Sequence, residues 1–565
     1  MSIPAVTKRG VVHAIALGAA LLAFLCAVAW HTELPGLMMD AVNPDYLSVD
    51  VIRGVSPDAP MWYLPGNLLF GRIPLLSSLY HGTLNMWLAL PFVALFGPSA
   101  TTLRFAQASA GVAILVLMFL LLREPRMRWP WLAWLATVAL TLDPVFVYAF
   151  RTQLYIQLCP VALLFAALAA GYRALSAERG TSPANRGPWL LLAGALYGLS
   201  IFGYFIFAFF APVLFAALFV GCRRAKVPLI RSFAWAGFGC AIGVSGYVLG
   251  YYRILRAQGG VHGFIEFFSR YQQSLGAFQT HRSLLDTLAY FATLIERIFS
   301  NDWQHSLMFG EDTPQPLYML KLSLLLALPL LLWIVCEIRG RQSWLLRLGV
   351  ALGISYPLVG LLFGDRLSGH HFVVLLPLAY LSLAAGLTVI ARDVRMSAFA
   401  KPAAAAVLLL LIAIDLAGLH ATDSELLRTH GRRFFSDAIN HFAEDANALP
   451  DPDRHYFVMP DWGLFMPFHF LTGAHIAHST ELDPQRIRDN LCRGKRVTVA
   501  LINGDVANRL RELTDNLKTA KPIFLPYRDY EGQTVFTSAT FDRFASEAIR
   551  LDTCAAVPPS ISHKP

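Results

Sequence analysis

The stretch VVHAIALGAALLAFLCAVAW (residues 11–30) follows closely on Lys8 and Arg9. An apolar run of this length is what a helix needs to cross a lipid bilayer. A secretory signal has a similar basic flank, but no small-residue cleavage site follows, so the run predicts a retained membrane helix. Similar runs recur along the chain, for example LKLSLLLALPLLLWIVC (320–336) and AAAAVLLLLIAIDLAGL (403–419).

The overall composition is that of a membrane protein. Hydrophobic residues make up 56% of the 565 residues and charged residues only 15%, whereas about a quarter of a soluble chain is charged. The net charge of +9 invites a nucleic-acid interpretation, but the basic residues lie in short loops between apolar runs. That pattern orients membrane helices. The sequence therefore predicts a polytopic α-helical membrane protein with no nucleic-acid partner.

The basic loops indicate which of the twelve apolar runs cross the membrane. The positive-inside rule places these loops in the cytoplasm with the N-terminus. All of them face inward only if YHGTLNMWLALPFVALFG (80–97) lies as a helix at the outer surface. About eleven transmembrane helices follow, at residues 11–30, 101–122, 130–149, 154–173, 188–203, 205–221, 232–252, 316–336, 344–363, 371–391 and 402–419.

This topology divides the chain into two domains. Residues 1–419 form the transmembrane domain, with a first outer loop at 31–100 and a second long outer loop at 253–315. The apolar spacing of FIEFFSRYQQ and SLLDTLAYFATLIERIF predicts two helices along the interface in the second loop. Residues 420–565 form a charged tail on the same outer side.

The tail has the pattern of a small α/β domain. HYFVMP, RVTVALI and KPIFLP predict short buried strands, and DPQRIRDNL and DVANRLRELTDNL predict helices between them. The seven cysteines include no CxxC pair, and only Cys492 and Cys554 lie in the tail. In an oxidising compartment those two are able to pair.

Several common catalytic motifs are absent from the sequence. It contains no HExxH, GxxxxGK[ST] or GxSxG motif and no Cys/His cluster with zinc spacing. These absences argue against an NTP-driven machine, the common zinc proteases and the elbow-type serine hydrolases. We expect no cofactor and no metal site, with a divalent cation left open.

The first outer loop carries the first carboxylates of the chain, in GLMMDAVNPDYLSVDVIRG (36–54). Asp40 or Asp45 is suited to act as a general base, because part-burial raises a carboxylate pKa toward the working pH. The alternative is that Asn-Pro-Asp is simply a turn in which Asp45 bonds nearby backbone. We expect Asp50 to be solvated.

Another acidic residue, Asp143, ends the third predicted crossing in LDPVFVYAFRTQ, with Arg151 eight residues later. A charge at that depth is costly unless it faces a cavity or a partner, which makes Asp143 a further catalytic candidate. The alternative is a helix-ending Asp-Pro followed by an arginine that reaches toward the interface.

The turn GDRLSGHH (364–371) concentrates basic side chains at the outer surface. Arg366, His370 and His371 are candidates for holding an anionic phosphate, since arginine supplies forked hydrogen bonds. The alternative is a polar turn that contacts lipid headgroups. The two adjacent histidines lack a third ligand, so they predict no metal.

Other polar residues on the outer side carry weaker signals. Arg72 and His81 lie in the first outer loop, and Arg104 opens the second crossing, where arginines usually anchor helices at the interface. Tyr204 and the phenylalanines around it are expected to be packing residues.

The order of these segments resembles the GT-C membrane glycosyltransferases, in particular the family 39-like protein O-mannosyltransferases and lipid A aminoarabinose transferases. That family often has His-Pro-Pro-Leu, an aromatic run, Phe-Gly and then Leu-Arg, and Gly82 and Thr83 replace both prolines here. LDPVFVYAFRTQ, GHHFVVLLPLAYLSLAAGL and MPDWGLFMPFHFLTG resemble further family segments. The matching residues of the first pattern are His81, Leu84, Trp87, Phe96, Gly97, Leu103 and Arg104.

The resemblance implies a GT-C fold with juxtamembrane helices in the first outer loop, and a reaction. The family moves a sugar from a polyprenyl-phosphate carrier to an extracytoplasmic acceptor, and an aspartate of the first outer loop acts as catalytic base or orients the acceptor. That role falls on Asp40 or Asp45, and the choice between them stays open because the family's usual Asp-Glu pair is missing. The implied phosphate ligands are Arg366, His370, His371, Arg151 and Arg72. Tyr46 and His81 are the implied contacts of the acceptor or the sugar.

Several features of the implied reaction stay open at this point. The acceptor is a protein, lipid A or an envelope glycan, and the sugar is a hexose, a pentose such as arabinose, or an amino sugar. The expected location is a bacterial inner membrane, with a cytoplasmic N-terminus and a periplasmic tail. The rival interpretation is a transporter or flippase of lipid-linked glycans, but that class often has two related halves and the sequence shows no internal repeat.

Overall fold

The structure is a computed structural model that describes residues 8–54, 64, 66–123, 130–152, 154–176, 186–276, 283–312, 317–341, 343–392, 397–502 and 506–554. Among those residues, nine helices are long and apolar enough to cross a membrane. The chain is a multi-pass membrane protein. A small sheet near the C-terminus completes it, so the predicted fold class is confirmed.

The first membrane helix leads into an outer loop made of short elements. These are α1 (Lys8–Ala29), α2 (Met39–Val42), α3 (Leu47–Arg53), β1 (Leu68–Leu69), β2 (Ile73–Pro74) and α4 (Leu84–Phe96). The two strands form a short antiparallel ladder. Helix α4 is the run expected to stay at the surface, and its 13 residues fall short of the roughly 20 that a crossing needs.

A block of long helices follows the loop. It comprises α5 (Ala100–Leu122), α6 (Pro130–Leu142), α7 (Pro144–Ala149), α8 (Tyr155–Ser176), α9 (Arg186–Gly203), α10 (Ala211–Ala225) and α11 (Leu229–Ala257), with a 3-10 turn Phe205–Phe210 before α10. Helices α9 and α11 pack backbone to backbone. A Cβ added at Gly243 would lie 2.4 Å from the Ala195 carbonyl oxygen, so glycine is required for this close approach.

The second outer loop and the last membrane helices complete the transmembrane domain. The elements are α12 (Val261–Gly276), α13 (Leu284–Phe299), α14 (Asp302–Phe309), α15 (Tyr318–Leu322), α16 (Leu328–Ile338), α17 (Trp344–Gly360), α18 (Gly369–Phe372), α19 (Leu375–Ala391) and α20 (Ser397–Thr429). A π-helical segment Ser323–Ala327 joins α15 to α16, and a 3-10 segment Leu361–Arg366 follows α17. Helices α12 and α13 confirm the helices predicted for the second loop.

The membrane helices match the predicted spans. Nine predicted crossings coincide with the nine apolar helices of the described chain, and the other two, 130–149 and 188–203, fall on α6 and α9. The count of eleven stays a prediction. Helix α19 is apolar all round and almost wholly buried, which is typical of the central helix of a bundle. Helix α20 continues past residue 419 and ends at Thr429.

The tail is an α/β domain. Its elements are α21 (Ala438–Asn447), β3 (His455–Val458), α22 (Phe465–Leu471), β4 (His478–Ser479), α23 (Pro484–Cys492), β5 (Arg496–Leu501), α24 (Val506–Leu517), β6 (Ile523–Arg528), β7 (Thr534–Phe541) and α25 (Glu547–Cys554). The strand order is β4-β3-β5-β7-β6. Strand β3 is parallel to β4 and β5, and strand β7 is antiparallel to β5 and β6. The predicted strands and helices are confirmed.

One detail of the tail prediction is wrong. Strand β6 was expected to be buried, but most of its residues are exposed because it is the edge strand of the sheet. Its apolar sequence alone does not distinguish an edge strand from a central one.

A continuous apolar core joins the tail to the first outer loop. Met39, Tyr46 and Leu47 of the loop pack in one buried cluster with Phe457 and Phe465 of the tail. The first outer loop therefore lies between the membrane helices and the C-terminal domain. This arrangement positions the acidic segment 36–54.

Candidate functional site

Two buried arginines fix the start of the first outer loop. Arg151 donates to the backbone carbonyls of Ala27 and Val28, both at 3.0 Å, and so caps the carbonyl end of α1. Arg104 donates to the carbonyl of Leu34 at 2.8 Å and to that of Pro35. These bonds hold the chain where it leaves the membrane.

The buried positions of these two arginines differ from what the sequence predicted. Arg104 was expected to anchor its helix at the interface, but its side chain is fully buried among backbone carbonyls. Arg151 was a candidate phosphate ligand, and its guanidinium likewise lies among the carbonyls of residues 27–34. We therefore leave Arg151 out of the proposed site.

The three aspartates of the loop have different surroundings. Asp45 is buried and accepts a hydrogen bond from Gln107 Nε2 at 3.2 Å. Burial raises the pKa of Asp45 to about 8. Asp50 is also buried and lies 3.0 Å from His469 Nε2 of the tail. The expectation that Asp50 is solvated is wrong, because α3 turns this residue toward the C-terminal domain.

Asp40 is the aspartate whose carboxylate is available. It lies on α2, keeps partial solvent exposure, and makes no hydrogen bond or ion pair within the described part of the chain. Burial of its carboxylate raises the pKa of Asp40 to about 6, although the residue as a whole keeps partial exposure. Its carboxylate is close enough to the hydroxyls of Tyr80 and Tyr204 to interact with them electrostatically.

His81 lies on the same side as Asp40. Its side chain is buried, and its ring centroid lies 4.2 Å from that of Tyr204. Burial, together with the nearby His371, holds the pKa of His81 well below its usual value, so the ring is neutral. Its Nδ1 atom has no hydrogen-bond partner among the described residues. A buried polar atom of this kind points to a ligand or a water.

Tyr204 is a functional candidate that the sequence interpretation missed. Its hydroxyl lies 2.8 Å from His371 Nε2, and both side chains are buried. The backbone N–H of Ser368 donates to His371 Nδ1 at 2.9 Å, so His371 carries its proton on Nε2 and donates it to Tyr204. The Tyr204 proton is then free to be donated to a ligand. The Tyr204 ring packs against Phe205 as expected, and the contact of its hydroxyl with His371 is what the sequence did not predict.

The remaining basic candidates are His370, Arg366 and Arg72. His370 is partly exposed, stacks near His371 with ring centroids 4.1 Å apart, and bonds Ser368 Oγ at 2.7 Å through Nδ1. Arg366 is exposed and ends the 3-10 segment a few residues before. Arg72 is exposed in the turn between β1 and β2.

Five side chains thus lie at or near the Tyr204 hydroxyl, and we call them the outer cluster: Asp40, His81, Tyr204, His370 and His371. They come from four separate segments of the chain. Four of the five were candidates from the sequence. Tyr46 lies in the same loop as Asp40, and its ring packs edge-on against that of His469, with centroids 5.6 Å apart.

Asp143 belongs to a different group. Its carboxylate lies 2.7 Å from Lys321 Nζ and accepts a hydrogen bond of 2.8 Å from the Tyr380 hydroxyl. Asp415 contacts the same two groups, each at 2.7 Å. We call these four buried residues the membrane clasp. It ties α7, α15, α19 and α20 together, so we leave Asp143 out of the proposed catalytic set.

The described residues contain no group of three or more His, Cys, Asp or Glu side chains able to hold a metal ion. In the tail, Cys492 and Cys554 form a disulfide with a Cα–Cα distance of 5.4 Å. The disulfide joins α23 to α25. A disulfide agrees with a tail outside the cytoplasm.

The fold is that of the GT-C class of polytopic membrane proteins, which confirms the resemblance at the level of the fold. The structure is similar to ArnT from Cupriavidus metallidurans bound to undecaprenyl phosphate, with a TM-score of 0.58 and 13% identity, over 98% of this chain and 100% of that one. No protein-family model and no curated protein sequence matches the chain.

Weaker likenesses connect the chain to two archaeal structures. An oligosaccharyltransferase of Archaeoglobus fulgidus in complex with zinc and sulfate aligns with a TM-score of 0.49 and 13% identity, over 92% of this chain and 72% of that one. The oligosaccharyltransferase AglB of the same organism, with an inhibitory peptide and a dolichol-phosphate, aligns at 0.47 and 13%, over 96% and 77%.

Proposed function

We propose that this chain is an integral-membrane glycosyltransferase that moves a sugar from a polyprenyl-phosphate carrier to an extracytoplasmic acceptor. The observation that carries the proposal is Asp40. Its carboxylate has no hydrogen-bond or ion-pair partner among the described residues, burial raises its pKa to about 6, and the hydroxyls of Tyr80 and Tyr204 are near it. The ArnT likeness supports the carrier class, because that structure holds undecaprenyl phosphate.

The proposed reaction is a single displacement at the sugar. Asp40 takes the proton from an acceptor hydroxyl or amine while the acceptor atom bonds to C1 of the sugar. The bond between C1 and the phosphate oxygen breaks, and the carrier leaves as polyprenyl phosphate with the bonding electron pair. A base with a pKa near 6 is largely ionised at neutral pH and still accepts a proton well.

The leaving phosphate gains negative charge and needs hydrogen-bond donors. Tyr204 offers its free O–H, oriented by His371, and the neutral rings of the other two histidines of the cluster offer N–H groups. Arg366 is close along the chain and is the proposed outer contact of the phosphate. In this proposal the donors are mostly neutral, so phosphate binding depends on hydrogen bonds more than on net charge.

The other candidate residues take secondary roles in the proposal. Tyr46, packed against His469, and His81, packed against Tyr204, are the proposed contacts of the acceptor or the sugar, and the exposed Arg72 is a further proposed phosphate contact. Burial raises the pKa of Asp45 to about 8 and keeps it mostly protonated at neutral pH, although it accepts a hydrogen bond from Gln107. The acceptor is a protein, lipid A or an envelope glycan, and the membrane is a bacterial inner membrane with the tail outside. No cofactor enters the step.

A transporter would be expected to hold polar groups that a solute can reach near the middle of the membrane. The buried charged groups of the membrane domain include the membrane clasp, whose lysine pairs with both carboxylates, and Arg104 and Arg151, which bond to backbone carbonyls. Lys321 is 3% exposed and the two carboxylates are 0% exposed, so a solute has no access to them.

Transfer by purified variants tests the proposal. The protein in detergent is mixed with lipid-linked sugars extracted from the membranes of the producing organism, and loss of sugar from the lipid fraction is followed. Asp40→Asn should lower the rate by at least about 10²-fold, whereas Asp45→Asn and the exposed control Asp552→Asn should retain most of it. Equal rates in Asp40→Asn and the wild type would refute the assignment.

A further inference from the structure

The first outer loop and the C-terminal domain meet at a chain of three titratable side chains. Asp50 Oδ1 lies 3.0 Å from His469 Nε2, His469 Nδ1 lies 2.9 Å from His478 Nε2, and His478 Nδ1 lies 2.6 Å from the carbonyl oxygen of Ile476. The first two side chains are 1% exposed and His478 is 6% exposed. The proposed reaction uses none of the three.

The hydrogen-bond chain fixes the number of protons it holds. A carbonyl oxygen only accepts, so His478 carries a proton on Nδ1. One proton lies between the two imidazoles, and one more lies between His469 and Asp50. That makes three protons, one more than an ionised aspartate and two neutral histidines carry. The intact chain of bonds is therefore electrically neutral as a whole.

Loss of the extra proton breaks the chain of bonds. The remaining lone pairs of His469 and Asp50 then face each other, and a net negative charge is left in a buried place. Burial and the adjacent His469 hold the pKa of His478 down at about 3, in agreement with a neutral His478. In the intact chain of bonds, the extra proton is then shared between His469 and Asp50.

Other titratable and charged side chains adjoin the three residues. They include Tyr46, whose ring packs against His469, and Arg53, whose guanidinium lies beside Gly473, two residues after the end of α22. The rings of Phe465 and Phe468 cover His478 at centroid distances of 4.9 and 5.5 Å.

We propose that Asp50, His469 and His478 form a proton-holding latch that fastens the C-terminal domain to the first outer loop, with His469 as a positioning residue for the loop that carries Asp40. Asp50 lies on α3, directly after α2, and both helices pack on the tail. The role of the latch in positioning the loop that carries Asp40 rests on the proposed function. The latch itself does not rest on it, because the proton is detected in an experiment without substrate.

The proton count predicts how stability depends on pH. Around pH 8, the opened latch holds two protons and the closed latch three, so closure weakens as pH rises. Around pH 5, both opened histidines are charged and the opened latch holds four protons, so closure weakens as pH falls. The counts are equal near pH 6.5, the usual histidine pKa, and the latch is strongest there.

Hydrogen exchange of the full-length protein in detergent tests the latch. Every sample, the wild-type reference included, carries Asp45→Asn, because Asp45 lies in the 39–53 segment and would add an alkaline loss of its own. After correction for intrinsic exchange rates, protection of the 39–53 and 465–471 segments should fall by up to about tenfold per pH unit above pH 7, the slope of one proton. Asp50→Asn should remove this alkaline loss, because an asparagine amide donates to neutral His469 and holds no titratable proton. Protection in Asp50→Asn should otherwise stay near the wild-type level.

Two further variants complete the experiment. His469→Phe should lower protection of both segments at every pH, and the exposed control His475→Phe should behave as the wild type. An alkaline loss that persists unchanged in Asp50→Asn would overturn the latch, and so would a folded His469→Phe with wild-type protection. If His469→Phe does not fold, Asp50→Asn alone decides. Protection that follows the prediction in a protein without transfer activity would refute the proposed function and leave the latch standing.

Discussion

Tyr204 and His371 are 167 residues apart in the sequence, and the Tyr204 hydroxyl accepts a hydrogen bond of 2.8 Å from His371 Nε2. The Ser368 backbone N–H donates to His371 Nδ1, so the histidine donates through Nε2 and the tyrosine proton is not used in this bond. A partly accessible carboxylate, Asp40, and the neutral ring of His81 lie on the same side. This pair is the structural centre of the proposed phosphate site.

Tyr204→Phe should weaken binding of undecaprenyl phosphate and lower transfer by about 10²-fold, because it removes one donor to the leaving phosphate. Binding is measured as the rise in melting temperature when undecaprenyl phosphate is added to the protein in detergent. Tyr252→Phe, at an exposed position of α11, is the matched control and should show the wild-type rise. An unchanged rise in Tyr204→Phe would remove Tyr204 from the site.

Asp45→Asn should stabilise the protein at alkaline pH. Burial raises the folded-state pKa of Asp45 to about 8, above the ordinary value of an unfolded aspartate. The unfolded chain therefore releases this proton first, and stability falls as pH rises from about 4 to about 8. An asparagine keeps the bond from Gln107 without this loss. Thermal unfolding should show a gain of about 1 kcal/mol or more at pH 8, and no gain near pH 4.

Lys321→Met should destabilise the membrane domain by about 3–5 kcal/mol, because it leaves two buried carboxylates without their cation. The triple variant Lys321→Met, Asp143→Asn, Asp415→Asn should recover most of that loss, since no uncompensated charge remains. Unfolding in detergent is the measurement. A triple variant no more stable than Lys321→Met would show that the clasp is not an electrostatic tie.

Removal of the tail disulfide should loosen α25. Cys492→Ser with Cys554→Ser should lower the stability of the C-terminal domain by about 2–4 kcal/mol, the usual contribution of such a cross-link. Limited proteolysis near the C-terminus reports it. Cys26→Ser, in α1, is the control and should leave the cleavage pattern unchanged.

The sequence predicts much of the fold, because hydropathy and periodicity are local signals. The membrane runs, the two helices of the second outer loop and the main tail strands all follow from spacing within a single segment. The exposed edge position of β6 does not, since it depends on which strand pairs with which. Asp40 was identifiable because a carboxylate beside a membrane helix is unusual in so apolar a chain.

The remaining site residues depend on contacts between distant segments. Tyr204 looks like a packing residue until His371 is placed against it. Asp50 looks like a solvated residue until His469, 419 positions later, covers it. Lys321 and Asp415 each sit within a run that reads as plain membrane helix, and only the bundle brings them to Asp143. No pattern within a single segment predicts such contacts between distant residues.

The pH dependence of kcat/KM tests the central claim, that Asp40 is the base, most directly. A base acts when deprotonated, so kcat/KM should rise tenfold per pH unit in acid and level off above about pH 6, the pKa of Asp40. Asp45→Asn should keep that inflection. An inflection near pH 8 in the wild type that disappears in Asp45→Asn would contradict the account, because the base would then be Asp45, whose pKa is about 8.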